Sequence, residues 1–272
     1  MPGSSNPRFR VTVWPTASRA IPPVAGVVAD LVDGAIRYLQ GAADVELPPE
    51  LAIREIPRLA SSDAAVLLAF TNQWGPLTQP FGDAAALLPV RERQQYQGPV
   101  GQYLAPLEVV SHHVRALRAV ILHWWAYEQH RDDDIVKAWT SSGFADPGAL
   151  GAAHPIEVAW DWWADHVNAA LAPFTVGVAV ESTDGDQGRK HGWNRPVVTA
   201  YSAMMLQVLN DVASETAWRT CANEPCGRIF ARQQGRAEYG QHRSTGIRYC
   251  TRECARAQGE RERRRARKGM PQ

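Results

Sequence analysis

C-A-N-E-P-C at residues 221–226 and C-T-R-E-C at residues 250–254 hold all four cysteines of the chain. The pattern is C-x4-C, then 23 residues, then C-x3-C. A close cysteine pair acts as a clip, because both sulfurs reach one ion at about 2.3 Å, and two pairs close a tetrahedron. Pro225 and Gly227 suit the tight turn of a first clip. Residues 228–232 (R-I-F-A-R) alternate like a strand, with Ile229 and Ala231 on one side and Phe230 on the other. Residues 246–249 read as the returning strand. Thr251 is a good N-cap and Glu253 an acid in a first turn, so Cys254 falls at a helix start, four residues after Cys250. Knuckle, hairpin and helix follow one another in a treble-clef-like order.

This spacing predicts one structural zinc per chain on Cys221, Cys226, Cys250 and Cys254. Four sulfurs leave no open coordination position, which disfavours a catalytic metal. Two disulfides are an alternative, disfavoured in a reducing cytosol. A Cys3His set using His242 is another, but that histidine has no clip partner.

Charge divides at the same place. Residues 219–272 carry 14 Lys+Arg against 5 Asp+Glu, a balance of +9, whereas residues 1–218 carry 15 against 23, a balance of −8. The near-neutral total of +1 hides this asymmetry. An acidic body on 1–218 and a basic module on 219–272 are expected to meet different partners. The basic residues are arginines except Lys268, and guanidinium favours bidentate phosphate and guanine contacts. Arg252, Arg256, Arg261, Arg263, Arg264, Arg265, Arg267 and Lys268 continue the last helix, and Arg232, Arg236, His242 and Arg243 lie in the loop before it. Arg236, Arg243, Arg256, Arg263, Arg264, Arg265, Arg267 and Lys268 are the candidate nucleic-acid contacts.

The stretches C-A-N-E-P-C-G-R-I-F and R-Y-C-T-R-E-C-A-R-A-Q with the Arg-rich end resemble the CGNR-type zinc finger of bacterial, often actinobacterial, proteins. The match covers about residues 219–268. The name-giving stretch stands here as Cys254-Ala255-Arg256-Ala257, without the Gly-Asn, and the loop between the cysteine pairs is longer. The helix–helix–strand–helix order of the body resembles the ABATE domain that accompanies that finger. The resemblance implies a stress-responsive transcription regulator.

In the body, residues 25–39 read as a helix, with Val28, Leu31, Val32, Ala35, Ile36 and Leu39 on one side. Residues 62–70 read as a helix capped by Ser62 or Asp63. Residues 107–139 read as one long helix kinking near Asp132–Asp134, a solvated bend. Residues 155–171 and 196–218 read as two more. Strands are expected at 9–14, at 174–180 and near Trp193. The fold class is mainly α with a small β-sheet (α+β), followed by the zinc-binding module.

Composition, with 45% hydrophobic and 21% charged residues, excludes wholesale disorder. No apolar run approaches the roughly 18–20 residues of a membrane helix, and Pro15, Pro22 and Pro23 break any signal-type stretch. A cytoplasmic protein without membrane partners is expected. Trp124, Trp125, Trp160, Trp162 and Trp163 suit helical core packing better than an aromatic ligand pocket. Glu108, His112 and His113, and Asp161, Asp165 and His166, form no H-E-x-x-H. They are expected to make surface or interhelical contacts. No phosphate loop, dinucleotide turn, nucleophile elbow or Cys–His arrangement is present, so the chain is not expected to be an enzyme. The function expected is a zinc-finger DNA-binding protein, a transcription regulator whose main partner is double-stranded DNA. The body would meet a protein partner, a small-molecule effector or a second copy. The rival reading is a zinc-stabilised protein- or RNA-interaction module, since arginine content does not separate DNA from RNA.

Overall fold

The computed structural model describes residues 21–40, 43–78, 102–144, 155–171, 174, 198–214, 216–231 and 248–269. The architecture is α+β, with mostly helices, a three-stranded and a two-stranded antiparallel sheet.

Strands β1 (Val27–Val32) and β2 (Ala35–Gln40) pair in register from Val27↔Gln40 to Val32↔Ala35. They replace the helix expected over residues 25–39. The turn is Asp33-Gly34, with φ of 47° and 77°, as a two-residue hairpin turn with both central φ positive requires. Val27, Val28, Val32, Ile36 and Tyr38 are β-branched or aromatic residues that fit a pleated surface. Their spacing also places several of them on one helical stripe, which hid the Asp-Gly punctuation. Strand β3 (Gln102–Pro106) pairs with the other side of β2, giving the order β1-β2-β3.

Helix α1 (Leu51–Glu55) runs into a 3-10 turn at Ile56–Arg58. Helix α2 (Ala64–Trp74) starts at Asp63, whose carboxylate accepts from the amides of Ala65 and Val66 at 3.0 and 3.2 Å. From α2, Asn72 closes the free edge of β1: its Oδ1 accepts from Ala29 N–H at 2.7 Å and its Nδ2 donates to Ala29 C=O at 3.0 Å. Sheet edges left open pair with other chains.

Helix α3 (Leu107–Glu128) is central. Val110, Val114, Leu117, Ile121 and Trp124 recur on its buried face. The long helix expected over 107–139 breaks at residues 129–131, where His130 has φ 55°. Asp132–Asp134 are therefore not the bend but the acidic first turn of α4 (Asp132–Thr140), where carboxylates meet the positive end of the helix dipole. Helix α5 (Pro155–Leu171) contributes buried Trp160 and Trp163. These rings meet Trp124 at 6.3 and 6.0 Å between centroids, so these three form core, and Trp125 and Trp162 pack against it half-buried. Helix α6 is Ala200–Ala213, shorter than the expected 196–218, with Thr199 as N-cap.

Trp218 belongs instead to β4 (Trp218–Thr220), which pairs with β5 (Ile229–Ala231). The partner of β5 is thus the strand ahead of the first cysteine. Arg248 and Tyr249 form no strand. All three residues of β5 are buried, so its two faces are both covered. Trp218, Ile229 and Ala231 join the core formed by the helices. Helix α7 (Arg252–Arg267) completes the order. Of the strand expected at 174–180, Phe174 is described and is not in a strand; the rest of it, the strands expected at 9–14 and near Trp193, and Arg232, Arg236, His242 and Arg243 lie outside the described residues. No helix among the described residues is long and apolar enough to cross a membrane.

Candidate metal centre and basic helix

Strand β4 delivers Cys221, whose amide donates to Arg228 C=O at 2.8 Å. The chain then turns on Asn223: its carbonyl accepts from Cys226 N–H at 2.7 Å and from Gly227 N–H at 3.2 Å. Gly227 has φ 53°, a conformation glycine adopts without a Cβ penalty. The turn brings Cys226 back beside Cys221. Ala222 N–H donates to Arg248 C=O at 2.7 Å and lays the second cysteine segment across the first. Cys250 N–H then points at Cys221 Sγ, 3.4 Å away. Thr251 caps α7 by accepting from Cys254 N–H at 3.2 Å, which fixes Cys254 in the first turn.

The four sulfurs lie within 4.8 Å of one another. Cys226 and Cys250 are 3.6 Å apart, and Cys250 and Cys254 are 3.5 Å apart. A tetrahedron with metal–sulfur arms of about 2.3 Å has edges of roughly 3.8 Å, so the cluster has the size one ion needs. A disulfide needs about 2.05 Å, and all four cysteines are free. The set can hold a metal ion. Among the described residues it is the one group of three or more metal-ligating side chains that converges.

As thiols the four are not equivalent. A hydrogen bond from the Asn223 side chain, helped by Thr251, holds Cys254 down at about 6. Burial, then hydrogen bonds with the other cysteines, pushes Cys250 up. A bound cation would favour the thiolate at every position.

Helix α7 is tied to the knuckle along one stripe. Glu224 receives both guanidinium arms of Arg265 at 2.6 Å. Gln258 is buried, donates to Glu224 at 3.2 Å and accepts from Arg261 at 3.0 and 3.2 Å. Arg265, with Gln258 second, holds the Glu224 carboxyl down at about 2. Cys254, Gln258, Arg261 and Arg265 therefore face the module.

At 3.6 residues per turn, Arg252, Arg256, Arg263 and Arg267 fall within about 60° of arc on the opposite side. All four are exposed. Arg264 lies beside this stripe and Lys268 is the C-cap residue; both are exposed too, and Glu260 pairs with Arg263 at 3.5 Å and Arg264 at 3.2 Å. Of the candidate contacts named from sequence, Arg256, Arg263, Arg264, Arg267 and Lys268 face solvent. Arg265 is engaged within the module, and Arg236 and Arg243 lie outside the described residues. Arg252 shares the stripe but was not among those candidates; projecting the helix from Thr251 finds it.

His112, His113, His123 and His166 of the body pack against neighbouring rings. His113 Nδ1 lies 2.8 Å from Val109 C=O and His166 Nδ1 2.8 Å from Trp162 C=O. Burial lowers both, and lowers His112 to about 4. His123 is fully buried and accepts at Nδ1 from Trp139 Nε1–H at 3.0 Å.

No family model, curated protein or solved structure matches this chain.

Proposed function

We propose that this chain is a zinc-bearing protein that binds double-stranded DNA through its C-terminal module and acts as a transcription regulator. One zinc on Cys221, Cys226, Cys250 and Cys254 serves as a cross-link; with four sulfur ligands it has no position for a substrate. The carrying observation is the two-sided helix. One side of α7 is fixed to the cysteine knuckle, and the other presents Arg252, Arg256, Arg263 and Arg267 to solvent over roughly 22 Å at 1.5 Å per residue. A row of guanidiniums on a rigid rod suits successive backbone phosphates, which supply most of the affinity of such contacts. The resemblance to the CGNR-type finger supports the same reading. The acidic body is then the part that meets a protein partner or effector.

The test is competition between labelled duplex, single-stranded DNA and duplex RNA on the purified, zinc-loaded chain at several salt concentrations. Duplex DNA is expected to bind and to be displaced least by the other two. A chain that ignores duplex DNA at low salt overturns the proposal. Preference for RNA would keep the phosphate chemistry and remove the role in transcription.

A further inference from the structure

Arg219-Thr220-Cys221 and Arg248-Tyr249-Cys250 repeat one pattern, an arginine two residues ahead of a cysteine of the metal centre. The fold brings both arginines to one groove of about 660 Å³, lined also by Glu128, Gln129, Trp218 and Thr220. Neither was a candidate from sequence, because 28 residues separate them and only the metal framework unites them.

The framework holds both backbones. Side chains alternate along a strand, so Trp218 enters the core while Arg219 is exposed. The Arg248 carbonyl is held at 2.7 Å by the amide of Ala222, beside Cys221. Cys250 N–H meets Cys221 Sγ at 3.4 Å, so the segment carrying Arg248 cannot shift without disturbing the centre. Neither guanidinium makes an ion pair among the described residues, and that of Arg248 lies over the Tyr249 ring at 5.9 Å. Glu128, the carboxylate in the lining, accepts from Trp218 N–H at 2.8 Å. It is thus turned to the backbone, and its burial raises its pKa. The lining of the groove thus includes two arginines, Arg219 and Arg248, both exposed and neither ion-paired within the described residues.

We propose that this groove binds a phosphate group, with Arg219 and Arg248 as its paired donors. Guanidinium matches phosphate oxygens in bidentate fashion. Where the phosphate belongs to duplex DNA, the proposal rests on the function proposed above and adds an anchoring point outside α7. A free nucleotide carries the same group.

The test uses the full zinc-loaded chain and R219Q/R248Q, with zinc content and circular dichroism compared first. For duplex DNA, the double variant is expected to flatten the log–log salt slope of binding by up to about 1.8, at about 0.9 for each phosphate no longer neutralised. In parallel, calorimetry with ATP reports on the free nucleotide. If the wild-type chain does not bind duplex DNA, the proposed function fails; the groove then stands only if ATP binds and the variant weakens it tenfold or more. If duplex DNA binds with an unchanged slope and ATP binding is absent or unchanged, the groove proposal is overturned and the function is not. Should the double variant lose zinc, the single variants R219Q and R248Q carry the test at about 0.9 each.

Discussion

Trp218 is fully buried, donates through Nε1–H to Asp211 at 3.0 Å and through its amide to Glu128 at 2.8 Å. Its partners lie 7 and 90 residues away in sequence, so its place was not legible from local pattern, which continues a helix through it. The substitution W218A is expected to cost about 3–5 kcal/mol in denaturant unfolding, the usual range for a buried Trp replaced by Ala. Asp211 bears the cost of this burial: its carboxyl is pushed up from 3.8 to about 6, burial outweighing the hydrogen bond from Trp218. A carboxyl raised by folding binds its proton more tightly in the folded state. It therefore destabilises the fold above about pH 6, and that cost is relieved as pH falls toward 3.8. D211N, which keeps an acceptor for Trp218, is predicted to raise Tm at pH 8, by at most about 3 kcal/mol in stability at 1.36 kcal/mol per pH unit. The gain should shrink between pH 6 and 4. A gain that grows on acidification would contradict this assignment.

At the scale of elements, caps and clips were legible because their chemistry is local. Asp63 and Thr251 cap the helices that the sequence assigns to them. The cysteine spacing announced the knuckle because chelation demands short loops. The hairpin at β1 and β2 was not legible as such, since its apolar residues satisfy both a helical and an alternating period. The pairing of β5 with β4, rather than with Arg248 and Tyr249, depends on how the module seats against the body, which periodicity does not encode. Helix α7 has mostly polar residues and one buried side chain, Gln258, so packing alone supports it weakly. Its stability is expected to depend on the metal. C226S should abolish the binding of one zinc per chain, measured by elemental analysis of reduced protein. It should also remove circular-dichroism signal equivalent to about one 16-residue helix, as chelation of the wild-type chain should. Full helicity in zinc-free protein would show that α7 needs no cross-link.

Over the whole molecule, the boundary at residues 218 and 219 marks a change of charge but not a gap in packing. Ile229 and Ala231 of β5 belong to the same core as the helices, and Arg228 reaches Glu55 of α1 at 3.8 Å. The body and the module are therefore expected to report on each other. Removing the metal should lower the Tm of the body helices, by about 2–4 °C for each kcal/mol by which the module is weakened. A body transition indifferent to chelation would mean that the two parts unfold independently. A fragment ending at residue 217 should be less stable than one ending at residue 220, because only the longer one keeps Trp218 in place.

The same seating decides which arginines are free. Arg265 is spent on Glu224, and Arg256, Arg263 and Arg267 are not tied to the knuckle. The most direct measurement is the slope of log affinity for duplex DNA against log salt, taken for the zinc-loaded wild type, for R256A/R263A/R267A and for R265A. The triple variant should flatten the slope by up to about 2.7, at about 0.9 per phosphate neutralised, and R265A by much less than 0.9. Equal flattening per arginine in the two variants, or none in the triple variant, would contradict a phosphate-binding stripe on the outer face of α7.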